Sequence, residues 1–560
     1  MKKSILMITC CLGASCVLAQ GTPKWANKAK KAVFSIVTYN AENQIKGNGN
    51  GFYIDEKGTA LTDYTLFEGA ARAVIINAQG KEIPVSRICG ANAIYDVLKF
   101  RTEGDKKLEM LKVAQTPAKV GETVYLLPYA TQKSSTLQTG KVTSVDSIGT
   151  GSFYYTLAMK AGEKTVSCPI MNAQGEVLGM IQKNSSADSD ESYAIGATFG
   201  TELGITAFSA NDASLNKIGI RKALPENEEQ AVVYLMMNSG MEAKEYALLL
   251  DEFMNAFPNN PEGYLRKGAS VMNSDAKEAE EWYKKAIDCS KDKGETTYNI
   301  AKNIYNQAIA DIEAKKESPW TLRLALDKVN EAKKIKESDL YAVLEGDIYF
   351  GMKKYAEAYA CYEKFNKTKL ATATSFYSAA KAKQGMEGTK PAEVIALLDS
   401  TLARFAPPYT SEAAIFFFER AELKMQNEQY REAVIDYSLF NQAFKGEVTA
   451  NFYYKREQAE IQCKMYQQAI ADINKAVSME PKNLDFWMEK GSVHMRVAQF
   501  DEALKAFKQA NELDKKSAEV LRMKGYCQLQ LKQKSEGIAT LQQAASMGDK
   551  VAKDLIKKYK

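Results

Sequence analysis

The sequence predicts a multidomain α and β protein in which an all-β region is followed by an all-α stack of repeated helix pairs. Three observations carry this reading. At 560 residues the chain exceeds what one hydrophobic core organises. Its apolar pattern changes period near residue 209, and its second half repeats itself at a fixed offset.

The β half comes first. From Ala32 to about Phe208, short apolar or alternating runs are separated by glycine and polar turns: Val33–Val37, Gly51–Ile54, Ala73–Ile76, Val124–Leu127 and Val177–Ile181. Runs of this length and spacing predict strands of a barrel or sandwich. Asn77-Ala78-Gln79-Gly80 and Asn172-Ala173-Gln174-Gly175 supply turns between such runs.

A polar connector over 209–228 ends the strand signals, and helical periodicity rich in alanine, lysine and tyrosine runs from Glu229 to the C-terminus. Gly491, Ala503, Phe507 and Ala510 recur as Gly525, Gly537, Leu541 and Ala544, each shifted by thirty-four. The preceding unit supplies Tyr453, Ala469, Ile473, Ala476 and Pro481, and Gly346, Tyr355, Ala358 and Tyr362 mark an earlier one. Small residues let two helices approach, while aromatic and aliphatic ones fill the groove to the next pair. One pair cannot bury its apolar face alone, so stacking is obligatory. About eight or nine pairs are expected, with 294–336 and 371–405 matching the pattern poorly.

Composition narrows the function. With 45% hydrophobic and 26% charged residues the chain is expected to fold. Its 74 basic and 69 acidic residues are interspersed, which gives no case for nucleic acid. At the N-terminus, Lys2 and Lys3, the apolar run Ile5–Leu18 and the small residues Val17 and Ala19 read as a signal peptide over 1–19, so the protein is expected in the periplasm or outside the cell. Cys16 after Gly13-Ala14-Ser15 partly resembles a lipoprotein signal but lacks a large aliphatic residue three positions earlier; a lipid anchor there stays open as the minor alternative. No later segment reaches roughly eighteen unbroken apolar residues, so no transmembrane span is expected. The cysteines beyond the signal are widely spaced, which argues against a metal knuckle or a redox dithiol, and a Cys89–Cys168 bridge is conceivable. Neither a cofactor nor a metal is expected.

Motifs within the β half resemble a known family. Gly47-Asn48-Gly49-Asn50-Gly51-Phe52 leads into Leu61-Thr62-Asp63-Tyr64-Thr65, similar to the opening of HtrA-like trypsin-fold serine proteases, where Leu-Thr-Asn-x-His carries the general base. Thr65 stands in the histidine's place. Tyr95-Asp96-Val97-Leu98 resembles the aspartate segment, and Lys164–Gly179 resembles the nucleophile segment Gly-Asn-Ser-Gly-Gly-Pro, which puts Val166 at the serine. The resemblance implies a trypsin-like double β-barrel over 30–208 with degenerate triad positions Thr65, Asp96 and Val166. Lys164, Ser167 and Cys168 replace the family's glycines, which puts the oxyanion hole in doubt.

The chemistry such a protease needs is an oxygen nucleophile, a base and aimed backbone donors. Only one histidine exists in the chain, His494, and it lies in a repeat helix where packing is its expected role. Two rescues can be drawn, a Ser167–Lys164 dyad and Cys168 as a displaced thiol nucleophile; the first needs a lysine with a depressed pKa, the second a base that nothing nearby supplies.

The second half resembles the tetratricopeptide repeat family, most strongly in its last three units, and this implies a superhelix over 229–560 whose inner wall binds a protein or peptide. Helix offsets put Tyr454, Gln458, Gln462, Met488, Ser492, Arg496, Arg522, Tyr526 and Gln530 on that wall. The set lacks the dense Lys/Asn pattern that clamps a C-terminal carboxylate. An exported scaffold or adaptor is therefore the leading expectation, with an active serine endopeptidase and an architectural subunit of an envelope complex as alternatives.

Overall fold

A computed structural model describes residues 23–104, 108–130, 137–149, 151–184 and 189–559. The expected signal segment 1–19, with Cys16, lies outside the described residues. Two six-stranded antiparallel barrels occupy the first half. The first contains β1 (Val33–Tyr39), β2 (Ile45–Tyr53), β3 (Thr59–Thr62), β4 (Arg72–Ile76), β5 (Glu82–Asn92) and β6 (Val97–Thr102), closed in the order β1-β2-β3-β6-β5-β4. The second contains β7 (Thr123–Leu126), β8 (Gln138–Ser147), β9 (Phe153–Ala158), β10 (Pro169–Met171), β11 (Val177–Ile181) and β12 (Glu191–Gly196), closed as β10-β11-β12-β9-β8-β7. Closure removes the sheet edges that strands this short would otherwise expose.

The alternation in the sequence becomes the two barrel cores. Phe34, Phe52, Phe67 and Phe100 are fully buried in the first, and Val124, Leu126, Leu157 and Cys168 in the second. Both anticipated turns form: Asn77 Oδ1 accepts from the Gln79 and Lys81 amides, and Asn172 Oδ1 accepts from those of Gln174 and Glu176. Cys89 on β5 of the first barrel and Cys168 in the core of the second are both buried free thiols, so the conceivable bridge between them is absent.

Residues 209–228, read from their polarity as a connector, run along the first barrel instead. The Gly69 amide donates to Lys217 O, and Gly219 donates to Ala70 O, both at 2.8 Å. Ile88 and Ala223 close a further pair of bonds that bridges β5 to Lys222. Leu215 and Ile218 are buried here. The helices Glu228–Met237 and Ala243–Ala256 follow the same course: Leu235, Leu250 and Phe253 join the first barrel's core, and Arg87 on β5 pairs with Glu252 at 3.0 Å. Periodicity reports where helices begin, but not against which surface their apolar faces close.

Compact units divide at Met1–Ser290 and Lys291–Lys560. The first ends with the pair Pro261–Val271 and Ala276–Cys289. The second, among the described residues, contains seven helix pairs and the terminal helix Lys550–Tyr559. The stretch 294–336 matched the repeat pattern poorly because its first helix, Lys293–Glu313, spans 21 residues; 371–405 forms the pair Ala373–Gly385 and Pro391–Leu402. The small-residue rule is visible in distances: a methyl placed on Gly346 would meet Tyr362 at 2.7 Å, and one on Gly491 would meet Phe507 at 2.5 Å. Among the described residues no helix is long and apolar enough to cross a membrane.

Candidate functional site

The turn after β3 and the turn between β5 and β6 bring Thr65 to Asp96. Asn92 Oδ1 accepts from the Ile94 and Tyr95 amides, which bends the chain so that Asp96 follows in the left-handed region at φ +51°. Asp96 Oδ1 then accepts from both the Thr65 amide at 2.7 Å and the Thr65 hydroxyl at 2.9 Å. Val166 lies between the short helical turn Glu163–Thr165 and β10. All three side chains line one cleft of about 740 Å³, together with Asp63, Tyr129 and Lys164. The three positions that the resemblance assigns to a triad are therefore brought together, as threonine, aspartate and valine.

The loop carrying Val166 is tied to the first barrel. Asn50 on β2 donates its side-chain amide to Lys164 O at 3.0 Å and to Val166 O at 2.9 Å. Thr62 in turn donates to Asn50 O at 2.7 Å. The Val166 amide, the donor that would face an oxyanion, points back to Glu163 O at 3.3 Å within the helical turn. Ser167 is fully buried at φ +64°, its amide bonded to Ile181 O and its hydroxyl donating to Asp63 Oδ1. Burial pushes the Asp63 carboxyl above the usual aspartate range, with the neighbouring Asp96 charge adding to the effect and the Ser167 bond opposing it.

This geometry bears on both rescues. The Ser167 hydroxyl faces Asp63 beneath the cleft, away from the role of an open nucleophile. Cys168 is fully enclosed in the second barrel, and burial pushes its thiol up to about 12, so it is protonated near neutral pH. His494 is buried in the helix Leu484–Arg496, with Nδ1 against Gln499 Oε1 at 2.7 Å.

The residues expected on the inner wall divide into exposed and packing roles. Gln462 and Arg496 are exposed. Tyr454 lies against Phe486 of the next pair, with ring centroids 5.3 Å apart, and Tyr526 meets Phe500 at 6.4 Å. Arg522 bonds Asp549 at 2.9 Å, and Gln530 bonds Tyr559 on the terminal helix at 2.9 Å. Ser492 donates to Met488 O of its own helix, and Met488 packs beside Phe507. Gln458 donates to Glu457. Sequence reasoning did not single out Asn50 or Asp63 at the cleft, although Asp63 departs visibly from the asparagine of the motif it resembles.

Comparison with known families agrees with this architecture. Residues 49–180 match the model of the trypsin-like peptidase domain, residues 341–369 match a tetratricopeptide repeat, and residues 462–544 match the anaphase-promoting complex, cyclosome, subunit 3 family. No curated protein matches the chain in sequence.

Proposed function

We propose that this chain, which joins a trypsin-like peptidase domain to tetratricopeptide repeats, is an exported protein-binding scaffold whose peptidase domain has no turnover. The observation that carries this reading is the side-chain set of the cleft. Threonine at the base position has no group that takes up and returns a proton near neutral pH, and valine at the nucleophile position has no attacking atom. Asn50, Asp63 and the Glu163–Thr165 turn support it further, because they hold the Val166 loop with its amide engaged inside the protein. Export rests on the N-terminal sequence. Binding rests on the repeats, whose fold serves protein–protein contact.

The experiment is hydrolysis of fluorogenic peptides and casein by the purified full chain, with a serine-reactive probe in parallel. The scaffold reading expects background rates and no labelling. Protease-like turnover, or stoichiometric labelling of the cleft, identifies an endopeptidase. Pull-down from the native envelope then separates a scaffold with several clients from an architectural subunit with one stoichiometric partner.

A further inference from the structure

The repeat pair Ala450–Gln462 and Tyr466–Met479 departs from its neighbour in a way that changes its chemistry. In the preceding pair, Ser411–Gln426 and Tyr430–Ala443, Arg420 grips Asp436 with bonds of 2.8 and 2.6 Å, and Lys424 adds a third contact at 2.8 Å. Thirty-six residues on, Arg456 grips Asp472 in the same manner at 2.6 and 2.8 Å. The two flanking positions differ. Where the earlier pair has Ala421, this one has Glu457; where it has Lys424, this one has Glu460.

Both substitutions place a buried carboxyl beside the clamp, and the one cation near them, Arg456, is already held by Asp472. The position of Glu457 is glycine in the next two pairs, Gly491 and Gly525, where an added methyl would meet Phe507 at 2.5 Å and Leu541 at 2.9 Å. Ile473 stands where the earlier pair has Tyr437 and the next pair Phe507. Glu457 is nevertheless 0% exposed and Glu460 4% exposed. Each leaves one carboxyl oxygen buried without a hydrogen-bond partner, Oε1 of Glu457 and Oε2 of Glu460. A buried ionised oxygen in that state is costly, and a proton lowers the cost by removing the charge.

Among the groups around them the neighbouring carboxylates add to this, while Arg456 opposes it at Glu460 and the Gln458 bond opposes it at Glu457. On their own helix Arg456 is committed to Asp472 and lies 3.9 Å from Glu460, while Gln458 donates to Glu457 Oε2 at 2.8 Å. The second helix of the pair contributes Asp472. The following helix contributes Glu489, which also bonds Gln458, and Arg496 acts on Glu489. From the preceding pair, Glu422 holds Lys455, and the charges of Arg431 and Glu432 act, with that of Glu460, on Cys463. After burial, the strongest influence on Glu457 is Glu489, a like charge.

We propose that Glu457 and Glu460 form a proton-binding site, holding their protons at neutral pH, and that proton release loosens this one repeat pair within the array. Burial, then neighbouring carboxylates, pushes Glu457 up to about 9 and Glu460 up to about 8, and Glu489 is raised as well. The sign follows from linkage: the unfolded chain loses these protons near pH ~4.3 while the folded one keeps them, so local stability falls as pH rises from there to about 8–9 and is flat above.

Hydrogen exchange of the full chain, corrected for intrinsic rates, tests this at pH 6 and pH 9 on wild type and on the double variant Glu457→Gln, Glu460→Gln. Wild-type protection in 450–479 is expected to fall at least about tenfold at pH 9, while 411–443 holds, and the double variant is expected to keep its protection. Infrared spectroscopy supplies the second readout: a protonated-carboxyl band present at neutral pH and titrating away in alkaline medium in wild type. Equal protection at both pH values, an equal loss in the double variant, or absence of the band overturns the proposal. If the double variant fails to fold, the wild-type exchange and infrared titration decide alone.

Discussion

The Thr65 hydroxyl donates to Asp96 Oδ1 at 2.9 Å, so the aspartate of the cleft still holds the residue at the base position although that residue is a threonine. The contact is preserved because the Thr65 amide binds the same oxygen at 2.7 Å, a main-chain bond indifferent to the side chain.

Restoring side chains alone is therefore expected to fall short. The double variant Thr65→His, Val166→Ser supplies a base and a nucleophile, but the residue 166 amide remains turned to Glu163 O and the loop carbonyls remain on Asn50. Removal of one oxyanion donor costs roughly 10²–10³ in kcat in an active enzyme. Fluorogenic peptide hydrolysis by the variant should stay at background; robust turnover would show that the loop rearranges.

Asp63 gives a pH signature. Its carboxyl is raised by burial, so the unfolded chain releases the proton first, and stability from this group is highest below the ordinary aspartate value of ~3.9 and falls as pH rises through the folded value. Asp63→Asn keeps an acceptor for Ser167 and should flatten the decline, with melting temperature above wild type at pH 8. Asp63→Ala strands the buried Ser167 hydroxyl and should lose about 1–3 kcal/mol at every pH, read by thermal unfolding.

Two glycines with similar backbone angles should respond differently. Gly80 at φ +79° has nothing within 4 Å of an added methyl, so Gly80→Ala should cost only the left-handed strain of about 1–2 kcal/mol. At Gly175, φ +83°, the methyl would lie 2.5 Å from Trp25, whose indole donates to Ala173 O at 3.0 Å. Gly175→Ala should lower the first domain's melting temperature further and alter its near-ultraviolet circular dichroism. Equal effects would mean that the Trp25 contact is easily surrendered.

The two arginine clamps offer a matched comparison. Arg456→Ala leaves the buried Asp472 without its cation and should cost about 3–5 kcal/mol. Arg420→Ala leaves Lys424 on Asp436 at 2.8 Å, so its cost should be smaller. Chemical denaturation of the two variants measures the difference, and a larger loss at Arg420 would contradict the assigned pairings.

Much of this was legible in the sequence for identifiable reasons. Strand alternation and the Asn-x-x-Gly turns are local, and they placed β1, β4, β7 and β11 together with the turns that follow β4 and β10. The thirty-four-residue offset fixed the last repeats, because glycine opposite a bulky residue is a packing requirement that sequence records directly. Thr65 and Val166 were visible as replacements because their flanking residues kept the motif spacing.

What the sequence determined by itself was the residue type at each position and the period of each element, since both follow from local geometry and side-chain chemistry. Tertiary structure alone decided which surfaces those elements close upon: that 209–256 packs on the first barrel, that Ser167 turns inward to Asp63, and that Glu457 and Glu460 lie without solvent. The physical reason is that burial, and the protonation it dictates, depends on neighbours distant along the chain.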